Sequence, residues 1–184
     1  MKSIFLCGFM GCGKTTVGRI LAKKTGREFV DMDKYIEKKE NMTVSEIFAL
    51  HGEDYFRDLE HSVCAELSQK EDLIVATGGG ALTYKRNSDI IRQNATVLYL
   101  SVPLDVIAKR LKNDTTRPLL QRPDKEQAMK ELYDKRVPLY LDSASVIADA
   151  SSKPNAVAEL IIVTMGLKRG KSKAKEVNHS TKVL

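Results

Sequence analysis

Apolar residues along this chain fall into two alternating rhythms. Short β-favouring runs lie at residues 4–7, 28–30, 73–76, 96–100 and 145–148. The segments between them carry apolar residues three or four positions apart, the spacing of a helix with one buried face. Strands that alternate with helices in this way predict an α/β chain, with a parallel sheet covered on both faces in three layers.

The helix boundaries are marked by local chemistry. A first helix is expected over 14–24, stopping at Gly26, a favoured residue just past a helix C-terminus. Thr43-Val44-Ser45-Glu46 has the form of a capping box and opens a helix through Ile47 and Leu50 that Gly52 ends. A longer helix is expected over 53–69, with Phe56, Leu59, Val63 and Leu67 on one face. Pro103 begins another through Ile107 and Leu111, and Pro154 begins the last, which stops before Gly166. Residues 113–123 break the pattern. They hold two prolines and two arginines, lack strand character, and read as a lid rather than an idle connector. Neither repeats nor a linker divide the chain, so residues 1–167 are expected to form one domain.

The octet Gly8-Phe9-Met10-Gly11-Cys12-Gly13-Lys14-Thr15 lies between the first strand and the first helix. It fits G-x-x-x-x-G-K-T, the phosphate cradle of nucleoside triphosphate-binding proteins. Its glycines let successive backbone N–H groups converge on anionic oxygens, and the following helix adds the positive end of its dipole. Lys14 is expected to reach the β- and γ-phosphates and the Thr15 hydroxyl to ligate Mg²⁺, with ATP as co-substrate.

A cradle alone names no acceptor. In open α/β sheets ligands sit at the C-terminal ends of the strands, so those ends are the next place to look. Strand two ends in Asp31-Met32-Asp33. If the strand continues, their two-residue spacing puts both carboxylates on one face, Asp31 toward a metal through water and Asp33 toward a substrate hydroxyl. Capping of the next helix is the competing reading. Strand three runs into Gly78-Gly79-Gly80, more glycine than a turn requires, and suits close approach of a ligand to the backbone. Strand three also lacks the terminal Asp of a Walker-B site, which favours Asp31 for the metal. Arg57, in the helix after strand two, and Arg136, before strand five, suit two-pronged binding of a carboxylate. Arg117 in the lid could swing over the γ-phosphate.

Charge and cysteine content add bounds. The chain has 184 residues and a net charge of +6, but residues 168–184 hold six Lys or Arg against one Glu. The body is therefore close to neutral, and the basicity belongs to a tail expected to be disordered. Nucleic acid is not an expected partner. Three cysteines without metal-like spacing imply free thiols, and no apolar run reaches 18 residues. No signal peptide is read at Met1-Lys2-Ser3, and a cytoplasmic protein that does not meet the membrane is expected.

The ordered motifs resemble the shikimate kinase family. They are the octet ending Lys14-Thr15, Asp31-Met32-Asp33, Phe56-Arg57-Asp58-Leu59-Glu60, Gly78-Gly79-Gly80, Arg117-Pro118-Leu119-Leu120 and Arg136-Val137-Pro138-Leu139-Tyr140, spread over residues 1–166. The resemblance implies phosphorylation of the shikimate 3-hydroxyl by ATP. It also implies a P-loop kinase fold, with a five-stranded parallel sheet in the order 2-3-1-4-5. Position by position, it implies phosphate or ATP contacts at Gly11, Cys12, Gly13, Lys14, Thr15, Thr16, Arg110, Arg117 and Lys153. Shikimate would meet Asp33, Arg57, Gly78, Gly79, Gly80 and Arg136, with Phe48 and Phe56 packed against it and helices over about 33–62 forming its site. Catalysis would fall to Lys14, Asp33 and Arg117, with one Mg²⁺ at Thr15 and Asp31 in a subunit expected to be monomeric. Gluconate kinase is the nearest rival within the class, and a nucleotide-gated nucleic-acid-binding protein the rival outside it.

His51, His61 and His179 lack ligand spacing and read as packing or surface residues. Cys12, beside a helix N-terminus and Lys14, is a candidate for a reactive thiol, although a small side chain tolerated in the loop explains it as well. Glu60 is read equally as a surface residue or as a partner of Arg57 or of a substrate hydroxyl.

Overall fold

The computed structural model describes residues 1–114 and 123–170. Its centre is a five-stranded sheet of β1 (Ile4–Cys7), β2 (Glu28–Asp31), β3 (Leu73–Ala76), β4 (Thr96–Ser101) and β5 (Val146–Asp149). The strands lie in the order β2-β3-β1-β4-β5, and every neighbouring pair is parallel. In register, Phe5 faces Val75 on one side and Val97 on the other. Burial explains the order. β1 and β3 are apolar and buried at every position, whereas β2 and β5 hold exposed residues and form the edges.

Seven helices among the described residues cover the sheet: α1 (Lys14–Thr25), α2 (Met32–Glu40), α3 (Val44–Ser68), α4 (Lys85–Asn94), α5 (Leu104–Leu111), α6 (Lys125–Ser143) and α7 (Pro154–Thr164). The expected boundaries hold to within a residue or two. Gly26 closes α1 in the left-handed conformation, and its N–H donates to the Ala22 carbonyl. Thr43 and Glu46 form the complete capping box at the start of α3. Gly52 is not helical (φ 81°, ψ 178°), so α3 has two arms, as its sequence predicts, joined at a kink. α6 continues through Pro138 although that residue cannot donate to the carbonyl four residues back.

Residues 168–170 begin the basic segment and fold back on α1. The Gly170 N–H donates to the Lys24 carbonyl at 2.9 Å, and Lys24 and Arg169 both pair with Glu159. Of the tail expected to be disordered over 168–184, residues 168–170 are thus held against α1 and α7, while residues 171–184, with His179, lie outside the described residues, as does the part of the lid at 115–122 that includes Arg117. No helix among the described residues is long and apolar enough to cross a membrane.

Candidate active site

The octet forms the turn between β1 and α1. Gly13 caps α1 at φ 102°, a conformation that favours glycine, and the Val17 N–H closes the first helical bond to its carbonyl at 2.8 Å. The first-turn N–H groups of α1, with the positive end of the helix dipole, therefore face the cradle. Lys14 is folded over its own loop, where Nζ donates to the Gly8 carbonyl at 2.8 Å and the Phe9 carbonyl at 3.2 Å. Thr15 and Thr16 are exposed on the open side. Cys12 is buried at 1% exposure, with Sγ 3.9 Å from Lys14 Nζ, so reagents have no open approach to it.

Arg110, from α5, ties the cradle to the turn after β5. Its Nη1 donates to the Gly11 and Cys12 carbonyls at 3.4 and 3.3 Å, and its Nη2 to the Ala150 and Ser151 carbonyls at 2.8 and 2.9 Å. Lys153 follows as the exposed N-cap residue of α7.

The two aspartates depart from the expected geometry. β2 ends at Asp31, which caps α2 by accepting from the Lys34 N–H at 3.4 Å, so Asp33 lies in the first turn of a helix rather than on a continuing strand. A shared strand face is therefore not what groups them. They remain electrostatic neighbours because the chain turns sharply at the cap. The Asp33 carboxyl is raised above the usual aspartate range by burial first and by the negative charge of Asp31 second, while Lys14 opposes the shift. Asp31 also accepts from the Thr15 hydroxyl at 3.1 Å. Thr15 and Asp31 thus present adjoining oxygens, the donor type Mg²⁺ prefers when phosphates complete its shell. No cluster of three His, Cys, Asp or Glu side chains suited to a metal occurs among the described residues.

Side chains crowd around the glycine run. A Cβ on Gly78 would lie 2.8 Å from Asp33 Oδ1 and 2.9 Å from Glu60 Oε1, and one on Gly80 would lie 2.9 Å from Arg57 Nη1. The glycines are needed first for space, because three site side chains already fill it. Arg57 lies in α3, one helix later than the helix that directly follows strand two. Its Nε and Nη2 donate to Glu53 at 3.1 and 2.7 Å, and its Nη1 donates to Glu60 at 2.7 Å. A guanidinium has five N–H groups, so these bonds leave one on each terminal nitrogen among the described residues. Burial alone would ease the proton off Arg57, but the bonds to Glu60 and Glu53 outweigh it and hold the charge.

Glu60 is a site residue and not a surface one, since it is 1% exposed. Burial raises its carboxyl, against the pull of Arg57. Phe56 is buried and Phe48 half-exposed, their ring centroids 4.7 Å apart at the wall beside Arg57. From α6, Arg136 Nη1 and the Tyr140 hydroxyl both donate to the Gly79 carbonyl, at 3.4 and 2.5 Å. Four residues apart on a helix, they share one face. His61 Nδ1 donates to Asn87 Oδ1 (2.9 Å) and the His51 ring lies against that of Tyr55, both away from chemistry as expected.

A cleft of about 370 Å³ joins the two halves, lined by Lys14, Thr15, Asp31, Asp33, Thr77, Gly79 and Arg110 among others. Sequence reasoning missed Glu53, Tyr140 and Tyr84. Glu53 and Tyr140 left a signal, their spacing of four residues from Arg57 and Arg136, and Tyr84 left none.

A phosphate cradle sharing a cleft with the Asp33 carboxylate, with two arginines against the adjoining glycine run, at the C-terminal ends of a 2-3-1-4-5 parallel sheet, defines a P-loop kinase for a small acceptor. The chain belongs to the shikimate kinase family. The sequence profile of that family matches residues 10–166. The shikimate kinase of Sulfurihydrogenibium sp. (strain YO3AOP1) is 42% identical over 162 residues, covering 88% of this chain and 96% of that one. The shikimate kinase of Thermodesulfovibrio yellowstonii is 43% identical over 162 residues, with 88% and 94% covered. The structure of Acinetobacter baumannii shikimate kinase in complex with shikimate superposes with a TM-score of 0.82 at 40% identity, covering 91% of this chain and 96% of that one.

Proposed function

We propose that the chain transfers the γ-phosphoryl group of ATP to the 3-hydroxyl of shikimate, giving shikimate 3-phosphate and ADP on the route to chorismate and the aromatic amino acids. The observation that carries this reading is a cleft lined by Lys14, Asp33 and Gly79, with Arg136 resting against Gly79 and Arg57 against the adjoining Gly80.

Phosphoryl transfer needs positioning and charge neutralisation more than covalent chemistry from the protein. Gly11, Cys12, Gly13, Thr15 and Thr16 hold the phosphates, with Arg110 and Lys153 on the nucleotide side. Lys14 exchanges the two neutral carbonyls it now bonds for phosphate oxygens, which make stronger charge-assisted bonds. Arg57 and Arg136 hold the substrate carboxylate, while Gly78, Gly79 and Gly80 let the ring approach the backbone and Phe48 and Phe56 wall it. Asp33 accepts a hydrogen bond from the reacting hydroxyl, and its raised pKa makes it a better proton acceptor than an exposed aspartate. Thr15, and Asp31 through water, would hold one Mg²⁺, which would supply positive charge to offset that of the ATP phosphates. Arg117 supplies a further positive charge. A monomeric cytoplasmic enzyme completes the reading.

A coupled assay of ADP release against shikimate, quinate, gluconate and AMP tests it. Turnover should be greatest with shikimate. Equal or greater turnover with gluconate or AMP would overturn the assignment.

A further inference from the structure

Three aromatic rings surround the Arg57 guanidinium, and one of them comes from outside its own helix. The guanidinium carbon lies 6.0 Å from the Phe48 ring centroid, 5.5 Å from that of Phe56 and 5.3 Å from that of Tyr84. Tyr84 is the nearest of the three. It caps α4 on the glycine-run side of the cleft.

Its position is fixed by the turn that shapes the glycine run. The Thr83 N–H and hydroxyl both donate to the Gly80 carbonyl, at 3.1 and 2.7 Å, and the Tyr84 N–H donates to the Ala81 carbonyl at 3.4 Å. Asn87 braces the same turn by donating to the Ala81 carbonyl at 2.8 Å, and Arg86 pairs with Asp58 of α3 at 2.8 Å. The ring is thus held from the side of Gly80, against which Arg57 Nη1 rests.

The chemistry of this contact differs from that of the carboxylate contacts. Glu53 and Glu60 anchor Arg57 by consuming three of its N–H groups. An aromatic face attracts the cation without occupying any N–H. Tyr84 can therefore hold the guanidinium while both remaining donors stay available. We infer that Tyr84 is a positioning residue: its ring holds Arg57 so that one N–H on each terminal nitrogen faces the carboxylate of the acceptor substrate. The inference rests on the reading that Arg57 binds that carboxylate.

Steady-state kinetics of Tyr84→Leu, Tyr84→Phe, Arg57→Ala and the Tyr84→Leu/Arg57→Ala pair test it. Tyr84 is 37% exposed, so leucine opens no buried hole, and an unchanged thermal melt verifies folding. Tyr84→Leu should raise the KM for shikimate about three- to ten-fold while KM for ATP and kcat stay within about two-fold. Tyr84→Phe should behave as the parent, and Tyr84→Leu should add nothing in the Arg57→Ala background. An unchanged shikimate KM in Tyr84→Leu would overturn the inference. So would a Tyr84→Phe enzyme as impaired as Tyr84→Leu, which would make the hydroxyl the contact. A full Tyr84→Leu effect without Arg57 would overturn it as well. Arg57→Ala with an unchanged shikimate KM would instead overturn the carboxylate reading itself, and the inference with it.

Discussion

Arg57 and Glu60 form an ion pair across one turn of α3, at 2.7 Å, and the carboxylate partner is 1% exposed while the arginine side chain keeps 15%. Removing Glu60 leaves a half-buried cation with only Glu53 to satisfy it. Glu60→Ala should destabilise the fold by about 2–3 kcal/mol in denaturant titration, the range for losing a charged hydrogen bond in a buried setting. Shikimate KM should rise with it. An unchanged unfolding midpoint would show that Glu53 alone suffices.

As the proposed acceptor of the substrate hydroxyl proton, Asp33 should set the acidic limb of activity. Its carboxyl is raised by burial and then by Asp31, so the folded protein binds this proton more tightly than the unfolded chain does. Below the usual aspartate range both states are protonated and the group is neutral toward stability. As pH climbs from that range through the raised folded value, stability is lost, and above it the penalty is complete. Asp33→Asn should therefore raise Tm at neutral pH, leave it little changed in acid, and abolish most turnover. Asp31→Asn removes a charge that raises Asp33, so the acidic limb of the kcat/KM profile should move to lower pH. A limb that stays in place would separate that limb from Asp33.

Gly52 fixes the angle between the two arms of α3. Its φ of 81° and ψ of 178° fall in a region essentially reserved for glycine, although no atom stands within 4 Å of the place a Cβ would take. Strain, not crowding, governs substitution here. Gly52→Ala should cost about 1–3 kcal/mol in a thermal or urea melt. Since the first arm carries Phe48 to the Arg57 wall, KM for shikimate should rise more than KM for ATP. Equal changes in both would assign the kink a purely structural role.

Arg110 bonds carbonyls on the cradle and on the turn after β5, which bears on how it serves the nucleotide. If it acts by fixing the cradle, Arg110→Ala should weaken ATP and inorganic pyrophosphate by the same factor in calorimetry. A loss confined to ATP would mean that it acts on the adenosine portion instead.

Much of this architecture was legible one segment at a time. β1 and β3 are unbroken apolar runs because both faces are covered, and Gly26 and Gly52 end helical arms through conformations that glycine favours. The cradle was legible because its chemistry is consecutive in sequence. Asp31 and Asp33 misled because a two-residue spacing looks the same whether the strand continues or stops, and only the cap at Asp31 decides. The contacts of Tyr140 and Tyr84 were invisible for a different reason. Their partners, Gly79 and Arg57, are 61 and 27 positions away, so only tertiary packing brings them together. α6 was hidden by Pro138, a residue that ordinarily argues against helix continuation.

The Gly170 contact on Lys24 and Gly26 has a practical consequence. α1 begins at the cradle and, over 12 residues, carries its C-terminus about 18 Å toward the end of the sheet where the strands begin. Gly170 rests at that far end, where a side chain of its own would collide with the Gly26 backbone at 2.6 Å. A fluorophore, affinity handle or surface tether joined directly at this glycine, in place of the residues after it, would leave from the face of the molecule opposite the cradle, with the nucleotide entrance turned toward solution.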